Sequence, residues 1–354
     1  MKRPTQPLAA LIIAGGRGTR FWPEARSHRP KPLFRFDGER SLLEDTIARV
    51  QPRIPSERIF VLVAADQARA FKRALKGLLP AANLIVEPEG RGTAVAIAYG
   101  TAIIGHRVGP EVIVAIMPAD HFVPEAEAFS RTIGEASELA RREHAIVVIG
   151  VTPTRPETGY GYQQIGRAIG AGFQVARFVE KPDAARARRM VRSGRYLWNA
   201  GIFVMSLTTL RRELDQHAPA LAAMMDRFGA MKPAELGRVY HRLVFDSFDR
   251  VVAEKSRRLL GVRARFTWND VGSWEGLWAA MRGESHSVVT GQVVALHSSG
   301  VLARGGKRLM VLLGVEDLVA IDTEDALLIA HKSRSQEVGQ VLDELKRRGL
   351  HSFL

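Results

Sequence analysis

Hydrophobic and polar positions along the chain change period several times. Leu8 to Ala14 is an unbroken apolar run, too short for a helix, that breaks abruptly into Gly15, Gly16, Arg17, Gly18, Thr19 and Arg20. This pattern predicts a buried strand emptying into a loop. Ser41-Leu42-Leu43-Glu44 then has capping-box spacing, with Leu43, Ile47 and Val50 on one helical face. Ile59 to Ala64 is strand-like, Asp66 is placed to cap a helix with Phe71, Leu75 and Leu78 inward, and Leu84 to Val86 is a short strand. An alanine-rich helix follows Arg91-Gly92-Thr93. Next come a strand at Val112 to Met117, a helix with Phe129, Ile133, Ala136 and Ala140 inward, and a strand at Ala145 to Val151. Strands and helices that alternate in this way predict a Rossmann-like α/β fold with a doubly wound, mostly parallel sheet.

Beyond residue 152 the pattern changes. Thr158-Gly159-Tyr160-Gly161-Tyr162 opens an aromatic, alternating segment, Phe173 to Glu180 is a strand closed by Lys181-Pro182, and Trp198 to Met205 is another. Helices around Leu210, Leu221 and Leu236 cover the middle, and Trp268-Asn269-Asp270-Val271-Gly272-Ser273-Trp274 leads into one more. From Val288 to Ala330, short β-like runs are punctuated by Gly291, Gly300, Gly305-Gly306, Gly314 and Asp322, which predicts a small unit of stacked strands. A final helix carries Val338, Val341, Leu342 and Leu345 on one side. Two domains are expected, residues 1–285 and 286–354.

Composition narrows the chemistry. The chain of 354 residues is 46% hydrophobic, so core size is not limiting, and it has no cysteine, which excludes disulfides and thiolate metal sites. Any metal must be held by oxygen and nitrogen. No apolar run reaches the ~20 residues of a membrane span, and a cytoplasmic protein with no membrane partner is expected. The net charge of +14 comes from basic residues scattered along helices, as at Arg186, Arg188, Arg189 and Arg192, without an aromatic-interleaved stripe. Solvated faces are the simpler reading, and no specific nucleic-acid partner is expected.

The first loop carries the most specific signal. Its glycines allow positive φ and close backbone approach to an anion, and Arg17, Arg20 and Lys31 bring the positive charge a triphosphate needs. The Walker pattern fails for want of Gly-Lys-Ser/Thr, and the dinucleotide fingerprint fails at Phe21. In a parallel sheet this loop and Pro118-Ala119-Asp120-His121 leave strands at the same carboxyl edge, where ligands bind. Taken alone, Asp120 is equally an ordinary turn residue and Asp270 a helix N-cap.

GGRGTR with the following Pro-Lys resembles the signature of sugar-nucleotide pyrophosphorylases, and Phe21-Trp22-Pro23 resembles their mannose-1-phosphate guanylyltransferase branch. PAD, TGYGY, FVEKP, WNAGIF and WNDVGSW follow in family order across about 270 residues, which short motifs do not do by chance. The resemblance implies transfer of GMP from GTP to α-D-mannose 1-phosphate with release of pyrophosphate. By the same resemblance, Asp120 and Asp270 hold Mg2+, and Arg20 and Lys31 grip the triphosphate. Ala14, Gly15, Gly16, Arg17, Gly18 and Thr19, with Arg91, Gly92 and Thr93, line the nucleotide site. Gly161, Glu180, Lys181 and Asn199 bind the sugar phosphate. A β-helix-like C-terminal unit and a possible homodimer through it are further implications. Two positions depart from the branch: Gly92 stands where Asn is usual, and Pro32 where Gln is common. Another sugar or base, or a non-catalytic nucleotide-sugar sensor, are the competing readings. His121 and His217 have no spacing that gives them a function.

Overall fold

The apolar run Leu8–Ile13 forms the first strand, β1, and its inner four residues are buried. A strand apolar on both faces needs partners on both edges and cover on both sides. Ile59–Ala64 (β2) and Leu84–Glu87 (β3) extend the sheet from one edge of β1, and Ile113–Pro118 (β4) lies on the other, all in parallel. Ile146–Val151 (β5), Gly161–Ile169 (β6), Gly172–Glu180 (β7), Tyr196–Ser206 (β8) and Leu259–Arg263 (β9) complete the sheet, nine strands among the described residues, in the order β3-β2-β1-β4-β8-β5-β9-β7-β6. This computed structural model describes residues 6–354 except 17, 27, 37–38 and 283–285.

Beyond β4 the sheet departs from the mostly parallel arrangement expected, because β7 is antiparallel to both β6 and β9 and β8 is antiparallel to β4, β5 and β6. β8 runs antiparallel between β4 and β5, so these two strands are not neighbours. Its eleven residues are long enough to pair with β4, β5 and β6 at once, with a register shift between Val148 and Gly150. Such a pairing depends on which distant edge is open, a property the local pattern does not carry.

Among the described residues, eight helices are interspersed with these strands along the chain: Leu42–Val50 (α1), Ala68–Ala74 (α2), Thr93–Val108 (α3), Ala126–Glu143 (α4), Ala184–Ser193 (α5), Leu207–His217 (α6), Pro219–Phe228 (α7) and Pro233–His241 (α8). Alternate strand residues such as Leu11, Leu62, Val114, Ile116 and Val148 share a core with α3 and α6 to α8. α4 packs on β4, β5, β8 and β9 through Phe129, Ile133, Ala136 and Ala140. The fold is the expected Rossmann-like, doubly wound one. α2 is shorter than its apolar spacing suggests: Gln67, not Asp66, stands at its N-cap, and Leu78 lies beyond its end, exposed, next to the positive-φ Gly77.

By packing, the chain falls into two compact units. One comprises the residues up to Gly15 with Ile47–Ala119 and Val123–Trp268, and contains the nine-stranded sheet; the other comprises Gly16–Thr46, Asp120–Phe122 and Asn269–Leu354. The second holds Trp274–Met281 (α9), Val288–Thr290 (β10), Val293–Leu296 (β11), Leu302–Arg304 (β12), Met310–Leu313 (β13), Leu318–Asp322 (β14), Leu327–His331 (β15) and Gly339–Arg347 (α10). β10, β12 and β14 stack in parallel with β15 at the end, and β11 pairs with β13, a short β-helix-like coil. Phe21, Trp22, Phe34 and Phe36 join its core with Trp274, Leu302, Ile321 and Val338, against which Val341, Leu342 and Leu345 of α10 pack. The indole N–H of Trp274 donates to the Trp22 carbonyl at 3.2 Å, and that of Trp22 to the Phe353 carbonyl at 2.9 Å. Among the described residues no helix is long and apolar enough to cross a membrane.

Candidate active site

Within the second unit, Gly18, Thr19, Arg20, Phe21, Lys31, Asp120, His121, Asp270 and Gly272 line one cavity of about 350 Å³. The loop's shape follows from its glycines. Gly16 and Gly18 have φ of 101° and 59°, and a Cβ on Gly18 would stand 2.7 Å from the Lys31 Cβ. Gly18 therefore lets the loop and Lys31 approach each other. Lys31 opens a 3-10 turn with Pro30 before it and Pro32 inside it, a first-turn position where proline's missing N–H costs little. Arg17 lies outside the described residues, and Arg20 is exposed at the cavity wall.

Lys31 is the centre of this arrangement. Its side chain is 7% exposed, and its Nζ donates to Asp120 Oδ2 at 2.7 Å and to the Asp270 carbonyl at 3.0 Å. Asp120 and Asp270 are brought side by side by backbone: Phe122 and Asn269 exchange N–H to carbonyl bonds of 2.9 and 3.1 Å. The Asn269 side chain accepts the Val271 N–H at 2.7 Å, Val271 adopts φ of 45°, and Gly272 leaves room for the Asp270 carboxylate, 2.9 Å from where its Cβ would stand. Ser273, not Asp270, caps α9. Burial pushes the Asp120 carboxyl up, but the Lys31 ammonium, with His121, outweighs it and holds Asp120 below the usual carboxylate range. His121 was legible only as the neighbour of Asp120, yet it lines the same cavity.

The remaining candidates lie in the first unit, at two places. Ala14 is buried and donates its N–H to the Leu62 carbonyl at 2.9 Å, while Gly15 is exposed with open space around it. Gly92 sits just before α3 with φ 88° and ψ 159°, and a Cβ there would be 2.8 Å from the Phe245 carbonyl oxygen. That close approach gives a steric reason for the absence of Asn. Thr93 Oγ1 accepts the Phe248 N–H at 2.9 Å, and Arg91 is bound to Glu89 at 2.7 Å and to His241 at 2.8 Å. Nearby Glu87, unremarked in the sequence, is buried and accepts the Tyr240 hydroxyl at 2.5 Å; burial pushes it up to about 7, against the pull of that bond.

Gly161, Glu180 and Asn199 come together at the second place. Gly161 pairs with Glu180 across β6 and β7, and a Cβ on it would fall 2.7 Å from Glu180 Oε2. Asn199 donates from Nδ2 to Asp249 Oδ1 at 2.8 Å, and Glu254 Oε1 accepts the Glu180 N–H at 2.7 Å. Lys181, half exposed with φ 49°, reaches Glu180 Oε1 at 3.1 Å. Burial pushes Glu180 up despite the pull of Lys181, and burial followed by the neighbouring Glu180 pushes Asp249 up to about 7. Asp249 and Glu254 had no motif to mark them, since their partners lie on β7 and β8, far away in sequence.

Residues 9–287 match the nucleotidyl transferase family, and residues 291–345 the MannoseP isomerase/GMP-like beta-helix domain. The chain belongs to the nucleotidyl transferase family. Among curated relatives, mannose-1-phosphate guanylyltransferase of Salmonella muenchen is 34% identical over 96% of this chain and 73% of its own length. The Escherichia coli protein of that name is 33% identical, over 96% and 74%. A crystal structure from Thermus thermophilus, described as a mannose-1-phosphate geranyltransferase, superposes with a TM-score of 0.89 at 35% identity, covering 96% of this chain and 100% of that one. Both parts of the family's architecture, transferase sheet and β-helix-like tail, are thus present in one chain.

Local geometry generates two predictions. In Lys31→Met, burial acts on Asp120 with less opposition, so its carboxyl should titrate higher, which carboxyl-carbon NMR would read directly. An unmoved Asp120 would show that Lys31 is not the cause. The corresponding stability is present at neutral pH and lost as pH falls through Asp120's lowered folded value. Gly92→Asn should destabilise the fold by about 1–3 kcal/mol, because that backbone conformation is essentially confined to glycine. A denaturation midpoint equal to that of the unsubstituted chain would contradict it.

Proposed function

We propose that this nucleotidyl transferase moves GMP from GTP to α-D-mannose 1-phosphate, giving GDP-mannose and pyrophosphate. The observation that carries the reading is the Lys31 ammonium held between Asp120 and Asp270 in a cavity that Arg20 also lines, in a chain whose curated relatives bear that activity as their name. A sugar-phosphate oxygen attacks the α-phosphorus; a new P–O bond forms as the bond to the β-phosphate bridging oxygen breaks, and pyrophosphate leaves with the electron pair. No side chain need become covalently attached.

The chain's own residues bind and neutralise. Backbone at Gly15, Gly16 and Gly18, with Thr19 and Arg20, holds the triphosphate, and Lys31 and Arg20 balance charge on the departing pyrophosphate. Arg17 belongs to this group by resemblance alone. Asp120 and Asp270 would hold Mg2+: two carboxylates on one polar cavity fit an ion that takes few protein oxygens and completes its shell with phosphate and water. When bound, the metal supplies charge neutralisation at the phosphate oxygens. Gly161, Glu180 and Asn199 bind ring hydroxyls, and Lys181 steadies the sugar's phosphate. Ala14 and Arg91 to Thr93 line the base. With the Arg91 guanidinium already engaged by Glu89 and His241, and no side chain at 92, base choice is weaker than sugar choice.

The deciding experiment is a matrix of GTP, ATP, UTP and dTTP against mannose, glucose and galactose 1-phosphates with magnesium, followed by pyrophosphate release. GTP with mannose 1-phosphate should give the highest kcat/KM, and a maximum at glucose 1-phosphate with UTP or dTTP would refute the assignment. Asp120→Asn and Asp270→Asn should each lower turnover by ~10²- to 10³-fold while remaining folded, the usual cost of losing one transition-state charge stabiliser. Near-normal magnesium-dependent rates in both would remove the metal from these two residues.

A further inference from the structure

An amide side chain distinguishes hydroxyl donors from acceptors only if its two ends cannot exchange places. Asn199 is buried, and both of its ends are set. Its Nδ2 donates to Asp249 Oδ1 at 2.8 Å, and its Oδ1 accepts the Gly201 N–H at 3.1 Å. An amide carries a second N–H and a second lone pair, so each end keeps one hydrogen-bonding position beyond these.

The segment that carries Asp249 is itself anchored at both ends. The preceding residue, Phe248, donates its N–H to Thr93 Oγ1 at 2.9 Å, and the Phe245 and Asp246 carbonyls lie against Gly92. Asp249–Ala253 form a single π-helical turn, an irregularity that recurs at functional sites. Directly after that turn, Glu254 accepts the Glu180 N–H. One short segment therefore braces both Asn199 and Glu180, while its other end is fastened to the Gly92–Thr93 loop.

We propose that Asp249 is a positioning residue of the sugar pocket, holding the Asn199 amide in the orientation that leaves one N–H and one oxygen lone pair for neighbouring ring hydroxyls. The inference rests on the reading of Gly161, Glu180 and Asn199 as a hexose 1-phosphate site. The charged groups around Asp249 are Glu180 and Lys181 at the end of β7, with Arg250 and Glu254 beside it in its own segment. Its carboxyl, pushed up to about 7, changes charge within the ordinary assay range.

The test uses the full chain with GTP, mannose 1-phosphate and magnesium. Asp249→Ala removes the acceptor and should raise KM for the sugar phosphate on the order of 10- to 100-fold, the value of a hydrogen bond to a charged group, with KM for GTP within about twofold of the parent. Asp249→Asn keeps an oxygen in place and should recover most of that loss. In the unsubstituted enzyme the sugar-phosphate KM should rise as pH falls from about 8 to about 6, as the charged acceptor is lost, and the Asn variant should show a flatter profile. Because both proteins see the same substrate ionisation, the difference between profiles reports Asp249. Equal rises in both KM values, a loss confined to kcat, or parallel pH profiles would overturn the proposal; if Asp249→Ala does not fold, the Asn profile decides alone. Absence of turnover by the unsubstituted chain with any triphosphate and sugar phosphate would instead overturn the hexose 1-phosphate reading beneath it.

Discussion

A lysine ammonium removed from water is the constraint on which the candidate site depends. Burying a charge is expensive unless it is paired and hydrogen-bonded, and Lys31 meets both conditions through Asp120 and the Asp270 carbonyl. The pairing ties together three pieces of chain that are far apart in sequence, the Gly18–Leu33 loop, the Asp120 turn and the Asp270 turn. Gly18 is needed so that the loop can approach Lys31, and the Phe122–Asn269 bridge is needed so that the two aspartates stand side by side. Each is a backbone condition for one electrostatic contact.

Where local chemistry dictates structure, the sequence was readable. Ser41 and Glu44 make the reciprocal bonds of a capping box, the Ser41 N–H to Glu44 Oε2 at 2.6 Å and the Glu44 N–H to Ser41 Oγ at 3.2 Å. Ile59–Ala64 is the strand its apolar run predicts. The insertion of β8 between β4 and β5 was not readable, because it is decided by pairing with strands distant in sequence, which the local pattern does not carry. The same division holds at the site. Arg20, Lys31, Asp120 and Asp270 lie in ordered motifs and come to one cavity, whereas Asp249 and Glu87 matter through partners some 50 and 150 residues away.

Backbone strain marks two of these places. Among the described residues, five other than glycine have positive φ, and two of them, Lys181 and Val271, directly follow the candidate carboxylates Glu180 and Asp270. For a β-branched residue such as Val271 that conformation is unfavourable and persists only when neighbours over-determine it. The Asn269 side chain, accepting the Val271 N–H, and the buried Val271 side chain supply that determination. The strain thus belongs to the turn that sets the direction of the Asp270 carboxylate.

The carboxylates of the two places are tuned in opposite directions, and the difference follows from what stands beside them. Asp120 has a buried cation for a neighbour, and its charge is favoured in spite of burial. Burial dominates at both Glu180 and Asp249, Glu254 adds to it at Glu180 and Glu180 adds to it at Asp249, and with Lys181 half exposed their charges are disfavoured. A carboxylate kept firmly ionised suits a site that must hold cations and meet a polyphosphate. A carboxyl group whose charge is disfavoured by burial suits neutral hydrogen-bonding partners, as with Asp249, which accepts from the Asn199 amide. The same side-chain type is therefore biased towards its charged form at one place and towards its neutral form at the other, by a buried ammonium in the first case and by burial in the second.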